Sequence, residues 1–173
     1  GMVELPEGKM KSREGTIVDA DDIVEELTQL GLDEVNERYN NLSDEEISKR
    51  AFKIGMAALR FFILKYEYKR DFLFDPKESI AFEGETGPYI LYAYARICSI
   101  YRNAIEQGVK VPFDPNKNQI LGYDELSNLD YTKLKSSEEI SLLEKLYEYP
   151  DVVYEAASNY KPHTFTRYLY ELA

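Results

Sequence analysis

The fold is decided by residues 86–108, which read TGPYILYAYARICSIYRNAIEQG. Thr86 followed by a glycine and Pro88 is a helix start, because proline fits the first turn, where its missing N–H leaves no helical hydrogen bond unmade. Gly108 is a residue type that commonly ends helices. The sequence therefore predicts a helix that runs from this start to Gln107.

At about 100° per residue, this predicted helix has two distinct faces. One face is predicted to be a core stripe, with Cys98 and Ala104 beside it, and it consists of Ile90, Tyr94, Ile97, Tyr101 and Ile105. The opposite face carries Tyr89, Tyr92, Arg96 and Asn103. Two tyrosine rings with a guanidinium one turn further on form a platform for stacked nucleic-acid bases. The same tyrosines would equally pack against another helix or the N-terminal lead, and spacing alone leaves both interpretations open.

The rest of the chain is also predicted to be mostly helical. Helices are predicted over residues 19–31, from a capping box at Ser43 to about residues 66–69, over 137–150, over 151–160 and over 162–173. The first eighteen residues are not helical, with a short strand at 2–5, and residues 71–76 are extended. Residues 109–135 are a proline- and asparagine-rich excursion with some local structure. The sequence thus predicts an all-α fold after an irregular lead.

Composition excludes several classes of protein. The chain of 173 residues has 21 Lys and Arg against 32 Asp and Glu, a net charge of −11, whereas non-specific nucleic-acid binders carry a basic excess. Its apolar runs are far shorter than the about 20 residues of a membrane span. Cys98 and His163 are the only residues of their types, which argues against disulfides, thiolate zinc clusters and Cys–His dyads. We expect His163 to be a capping or packing residue, Cys98 to be inert, and the setting to be cytoplasmic.

A basic loop is predicted between Gly8 and Gly15, with Lys9, Lys11 and Arg13 as its cations. Three cations between glycines would neutralise a polyphosphate. The segment is not a Walker loop, because no Gly-Lys-Ser/Thr stands at the second glycine. A basic loop that merely faces solvent remains the other interpretation.

Four segments carry a family pattern in register. Residues 8–15 read GKMKSREG, like a degenerate KMSKS loop, and residues 19–22 read DADD, like the acidic helix start that follows it. Residues 82–96 read FEGETGPYILYAYAR, and residues 162–172 read PHTFTRYLYEL. Together they resemble the arginyl-tRNA synthetases, a family of class I aminoacyl-tRNA synthetases, over nearly the whole chain except 109–135.

The resemblance implies a fold and a reaction. The fold would be a helical bundle of the class I synthetase anticodon-binding type, preceded by an irregular KMSKS-loop segment. Residues 1–78 would form the KMSKS loop and stem-contact helices at the end of a catalytic domain, and residues 79–173 part of a DALR-type anticodon-binding domain. The reaction would use ATP, with magnesium, to activate arginine and then transfer the arginyl group to its tRNA.

The resemblance also implies roles for single residues of the KMSKS loop. Lys9, Met10 and Lys11 would contact ATP, and Lys9, Lys11 and Ser12 would be catalytic. Lys9 would meet the pyrophosphate in the transition state. Ser12 stands where the family loop has its second lysine, and Lys11 stands where it has a serine.

Tyr89, Tyr92 and Arg96 match the family's tRNA-facing helix, so the resemblance implies that they bind tRNA. The sequence contains no HIGH motif and no arginine pocket, and we therefore expect an internal fragment that does not activate arginine alone. The alternative is a non-catalytic, synthetase-derived helical module for interaction or regulation, which the acidic charge balance favours.

Overall fold

The computed structural model describes residues 1–6, 8–9, 19–117, 119–120 and 130–173. Its strands are β1 (Val3–Leu5), β2 (Gly8–Lys9), β3 (Phe72–Leu73), β4 (Phe113–Asp114) and β5 (Gln119–Ile120). Its helices are α1 (Ala20–Arg38), α2 (Asp44–Leu64), α3 (Pro76–Ser79), α4 (Gly87–Glu106), α5 (Ser137–Tyr147), α6 (Tyr149–Ser158) and α7 (Pro162–Leu172). The predicted all-α fold is confirmed, with only short strands beside the helices.

Helices α1 and α2 form a closely packed pair because glycines stand where they touch. A Cβ atom on Gly31 would lie 2.6 Å from the carbonyl oxygen of Ala51, and one on Gly55 would lie 2.8 Å from the backbone of Leu27. The prediction that α1 stops at Gly31 is therefore wrong. The glycine sits in the middle of a helix because the neighbouring backbone leaves no space for a side chain.

A small sheet holds the N-terminal lead against the helices. Strand β1 pairs antiparallel with β2 and parallel with β3, so the strand order is β2-β1-β3. The main core forms where this sheet meets α1 and α2, and the Phe62 ring lies edge-on to Phe74 with centroids 5.2 Å apart. The predicted strand at 2–5 is confirmed as β1, and the extended segment at 71–76 is confirmed up to Asp75, because Pro76 begins α3.

Helices α5, α6 and α7 follow the excursion. Ser136 caps α5 in a reciprocal capping box with Glu139. The prediction that one helix continues to Pro150 is wrong, because α5 ends at Tyr147 and the proline lies in the first turn of α6. Proline is tolerated there because first-turn N–H groups have no helical partner.

Candidate nucleic-acid interface

The start of α4 is fixed by Thr86 and Gly87. The Thr86 hydroxyl accepts a hydrogen bond from the Tyr89 backbone N–H at 3.3 Å and donates one to the carbonyl of Ala81 at 2.5 Å. Gly87 lies against α2 so closely that a Cβ atom would stand 2.1 Å from the carbonyl oxygen of Ala57. Helix α4 runs to Glu106, and Gly108 adopts φ +74°, as predicted for its end. These contacts set the direction in which the α4 side chains point.

Two of the three predicted binding residues on α4 form an exposed unit. Tyr92 is 48% exposed, and Arg96 Nη1 donates to its hydroxyl at 3.3 Å. The Arg96 guanidinium carbon also lies 5.7 Å from the Tyr92 ring centroid. Tyr89 is half-buried, and its ring packs against Tyr170 with centroids 5.5 Å apart. The packing interpretation therefore applies to Tyr89, whereas Tyr92 and Arg96 face solvent.

The prediction that one face of α4 is a continuous core stripe is wrong for the middle of the helix. Tyr94 is 53% exposed and Ile97 is 51% exposed, whereas Cys98 is buried. Burial along this helix depends on where its neighbours cross it, and α2 meets α4 at its first turn, around Gly87 and Pro88. A hydrogen bond with the Cys98 side chain raises the pKa of Tyr94.

Helix α2 presents a basic face that the sequence interpretation missed. Lys49, Lys53 and Arg60 are exposed and follow one another along the helix at intervals of four and seven residues. None of the three forms an ion pair with another residue in the described part of the chain. The signal was present in the sequence, because residues 47–66 contain lysines and arginines but no acidic residue.

The basic face lies beside the start of α4. Ala57, against which Gly87 packs, is four residues after Lys53 and three before Arg60, and residues at these spacings are neighbours on a helix surface. Phe52, 51% exposed, adds an aromatic ring to the same side of α2. Cations interleaved with an exposed ring suit contact with a nucleic-acid backbone and its bases.

The KMSKS-like segment is only partly described. Gly8 and Lys9 are not in a loop but form β2, whose backbone pairs Lys9 with Glu4. Met10, Lys11 and Ser12 lie outside the described residues. The structure therefore places the first residue of the predicted ATP-binding set on the edge of the small sheet.

An ionic network joins α7 to α5. Lys145 Nζ lies 2.6 Å from one Glu171 oxygen and 3.0 Å from Glu148, while Arg167 Nε lies 2.8 Å from the other Glu171 oxygen. The hydrogen bond from Lys145, with a further one from Arg167, lowers the pKa of Glu171. The same contact with Glu171, supported by Glu148, raises the pKa of Lys145. Through Lys145 and Glu171, the network holds the C-terminal end of α7 against the C-terminal end of α5.

The described residues contain neither a cluster of metal ligands nor a helix suited to a bilayer. No three or more of their His, Cys, Asp or Glu side chains come together in a group that could hold a metal ion. No helix among them has the length and apolar composition that crossing a bilayer requires.

Comparison with known proteins finds relatives of this chain. Residues 90–173 match the DALR anticodon binding domain family. The arginine–tRNA ligase of Parabacteroides distasonis is 40% identical over 99% of this chain and 27% of its own length, and that of Bacteroides thetaiotaomicron is 42% identical over the same shares. The solved arginyl-tRNA synthetase of Thermus thermophilus is 30% identical, with a TM-score of 0.74 over 99% of this chain and 25% of that one. The Plasmodium falciparum enzyme, 22% identical with a TM-score of 0.68, shares the fold.

The helices from α4 onward correspond to the class that this match describes, a helical anticodon-binding domain of the DALR type. The matches extend beyond that domain to the N-terminal lead, and over nearly its whole length the chain is similar to one part of the arginyl-tRNA synthetases. It spans about a quarter of the length of the curated relatives it matches.

Proposed function

We propose that this chain is the tRNA-holding part of an arginine–tRNA ligase, and that it contacts its tRNA through two adjoining surfaces. The first is the exposed Tyr92–Arg96 unit of α4, which faces the anticodon region. The second is the basic face of α2, defined by Lys49, Lys53 and Arg60. The observation that carries the proposal is the exposed ring and guanidinium on α4, which lie within the residues 90–173 that match the DALR family.

The α2 face supplies an extended row of positive charges, which the α4 unit lacks. Lys49 and Arg60 are separated by about 16 Å along the axis, at 1.5 Å rise per residue. A row of cations of that length follows several phosphates of one strand, and phosphate contacts give affinity without reading sequence. Stacking on Tyr92 adds contact with unpaired bases, which single-stranded loops of RNA offer.

The test is binding of an arginine tRNA transcript to this chain, measured by fluorescence anisotropy at several salt concentrations. Replacing Tyr92 by alanine removes one stacking contact, which is worth about 1–3 kcal/mol, so affinity should fall at least fivefold. Tyr147→Ala is the matched control, since Tyr147 is 84% exposed on α5, outside both surfaces. The proposal is wrong if Tyr92→Ala and Tyr147→Ala bind the transcript equally well.

The salt dependence tests the α2 face separately. Combining Lys53→Gln with Arg60→Gln should reduce the slope of log K against log salt by about 0.7–0.9 for each phosphate that is no longer neutralised. Lys133→Gln combined with Lys135→Gln makes the same change of charge before α5 and should leave the slope nearly unchanged. The alternative function, a helical interaction or regulatory module, predicts that the transcript does not bind at all.

The remaining roles concern the whole ligase. Arginine and ATP with magnesium would be its substrates and metal, the setting would be cytoplasmic, and Lys9, Met10, Lys11 and Ser12 would close on the ATP phosphates. The proposed division at 78/79 falls close to the end of the main core, whose last buried member, Ile80, lies two residues beyond residue 78.

A further inference from the structure

Glu4 lies in the middle strand of the small sheet, beside the first lysine of the KMSKS-like segment. The antiparallel register of β1 and β2 places Glu4 directly opposite Lys9 and Leu5 directly opposite Gly8. Residues that lie directly opposite one another in antiparallel strands share a face of the sheet and are within reach of each other. The pairing therefore brings an acidic residue next to the position that we propose contacts the ATP phosphates.

The face of the sheet that Glu4 and Lys9 share points away from the core. Val3 and Leu5, the neighbours of Glu4 along β1, pack in the main core, and successive side chains of a strand alternate between its two faces. On its other side Glu4 is paired with Leu73 of β3, which is 53% exposed. Glu4 is itself half-buried, and Lys9 is the charged member of its two cross-strand partners in the described sheet.

The backbone of Glu4 is held on both sides, whereas Lys9 belongs to an edge strand. The Glu4 carbonyl oxygen accepts a hydrogen bond from the Phe74 N–H at 2.7 Å, and the Met2 carbonyl oxygen accepts one from the Phe72 N–H at 3.1 Å. Phe74 is 1% exposed, so these bonds tie β1 to the core. Strand β2 has two residues and pairs only with β1 in the described sheet. The carboxylate is therefore on the fixed strand and the lysine on the strand with fewer backbone bonds.

This pair of opposite charges competes with any phosphate for the lysine. A lysine that is paired with a carboxylate must leave it before it can contact a phosphate, and the stabilisation of the pair is then lost. Opposite charges at directly opposed positions of a sheet stabilise each other by a factor of up to about five in an equilibrium constant. A triphosphate carries more negative charge than one carboxylate, so it can displace Glu4 from Lys9.

We infer that Glu4 is a positioning residue of the proposed ligase, which holds Lys9 at the sheet until ATP is bound. The contact must be broken on the way to the transition state of adenylate formation, and it therefore lowers kcat/KM for ATP. This inference rests on the proposed function, because it assumes that Lys9 contacts the ATP phosphates. It adds a restraint from a residue that precedes the KMSKS-like segment and is not part of it.

The experiment is a double-mutant cycle in a ligase that contains this segment, with pyrophosphate exchange measured over a range of ATP concentrations. Glu4→Gln should raise kcat/KM for ATP about two- to fivefold, because the free enzyme no longer holds Lys9 in a pair that the transition state lacks. In the Lys9→Ala background, the same substitution should leave kcat/KM unchanged. Glu67→Gln is the matched control, since it makes the same change of charge at an exposed position shortly before β3 and should have no effect in either background.

The two backgrounds separate the possible outcomes. An increase with Glu4→Gln that persists in the Lys9→Ala ligase would show a general effect of charge and would overturn the inference. A merely structural role of Glu4 would lower the melting temperature and reduce kcat/KM equally in both backgrounds, which would also overturn it, as would no change at all. If Lys9→Ala alone leaves exchange unaltered, the proposed role of Lys9 in the ligase is wrong instead, and the restraint has nothing to act on.

Discussion

Gly87 connects the stability of the fold to the position of the proposed binding residues, and Gly87→Ala tests that connection. A Cβ atom there would lie 2.1 Å from the Ala57 carbonyl oxygen, whereas ordinary contact begins at 3.4 Å. The start of α4 must therefore move away from α2 by about 1.3 Å, the difference between the two distances. Crowding of this kind costs about 1–3 kcal/mol.

The expected result of Gly87→Ala is a lower melting temperature, by about 2–4 °C for each kcal/mol in a chain of this size. Binding of the arginine tRNA transcript should also weaken, because Tyr92 and Arg96 move with the helix. Ser99→Ala is the control: Ser99 is exposed on α4, and alanine there improves helix propensity. Thermal unfolding followed by circular dichroism measures the first effect and anisotropy the second. A Gly87→Ala chain that melts at or above the unaltered temperature would refute the close approach of α4 to α2.

Three further predictions use other parts of the chain. Gly31→Ala should destabilise the chain by about 1–3 kcal/mol in urea unfolding, because its methyl group would push α1 away from Ala51; a gain of about 1 kcal/mol, the usual propensity effect, would contradict the helix contact. Glu171→Gln should lower stability at neutral pH, and because the contact with Lys145 lowers the pKa of Glu171, the difference from the unaltered chain should begin to shrink below about pH 4, the ordinary glutamate value, and vanish once the pH is below the lowered pKa; a difference that keeps its full size at pH 2 would contradict the ionic explanation. In a ligase that contains this segment, Lys9→Ala should slow adenylate formation about tenfold or more, measured by pyrophosphate exchange, since such contacts are worth a few kcal/mol in the transition state; unchanged exchange would remove Lys9 from the mechanism.

The sequence predicted α4 to within a residue because both of its ends depend on local chemistry. Thr86 and Pro88 start a helix, and Gly108 ends one with a positive φ, whatever else surrounds them. Gly31 was misinterpreted because glycine also serves where two helices touch, and only the position of Ala51 distinguishes the two uses.

The candidate site could be predicted from the sequence only in part. Tyr92 and Arg96 were singled out because they lie opposite the predicted core stripe of α4, and both are exposed, whereas their binding of tRNA stays a prediction. The exposure of Tyr94 and Ile97 could not be predicted, because it depends on where α2 crosses α4. The basic face of α2 was readable from a run of sequence without acids, whereas the position of Glu4 opposite Lys9 depends on the pairing of β1 with β2.

The concentration of unpaired cations on one side of α2 has a consequence for encounters in solution. The chain as a whole carries an excess of negative charge, so most approaches of a polyanion are repelled. If the proposed function is correct, an incoming RNA would be turned toward the basic face of α2, which attracts it, before any base is contacted. Polyanions without unpaired bases to stack on the exposed rings beside this face would then dissociate quickly. Selectivity would therefore begin with the orientation of the encounter rather than with high affinity.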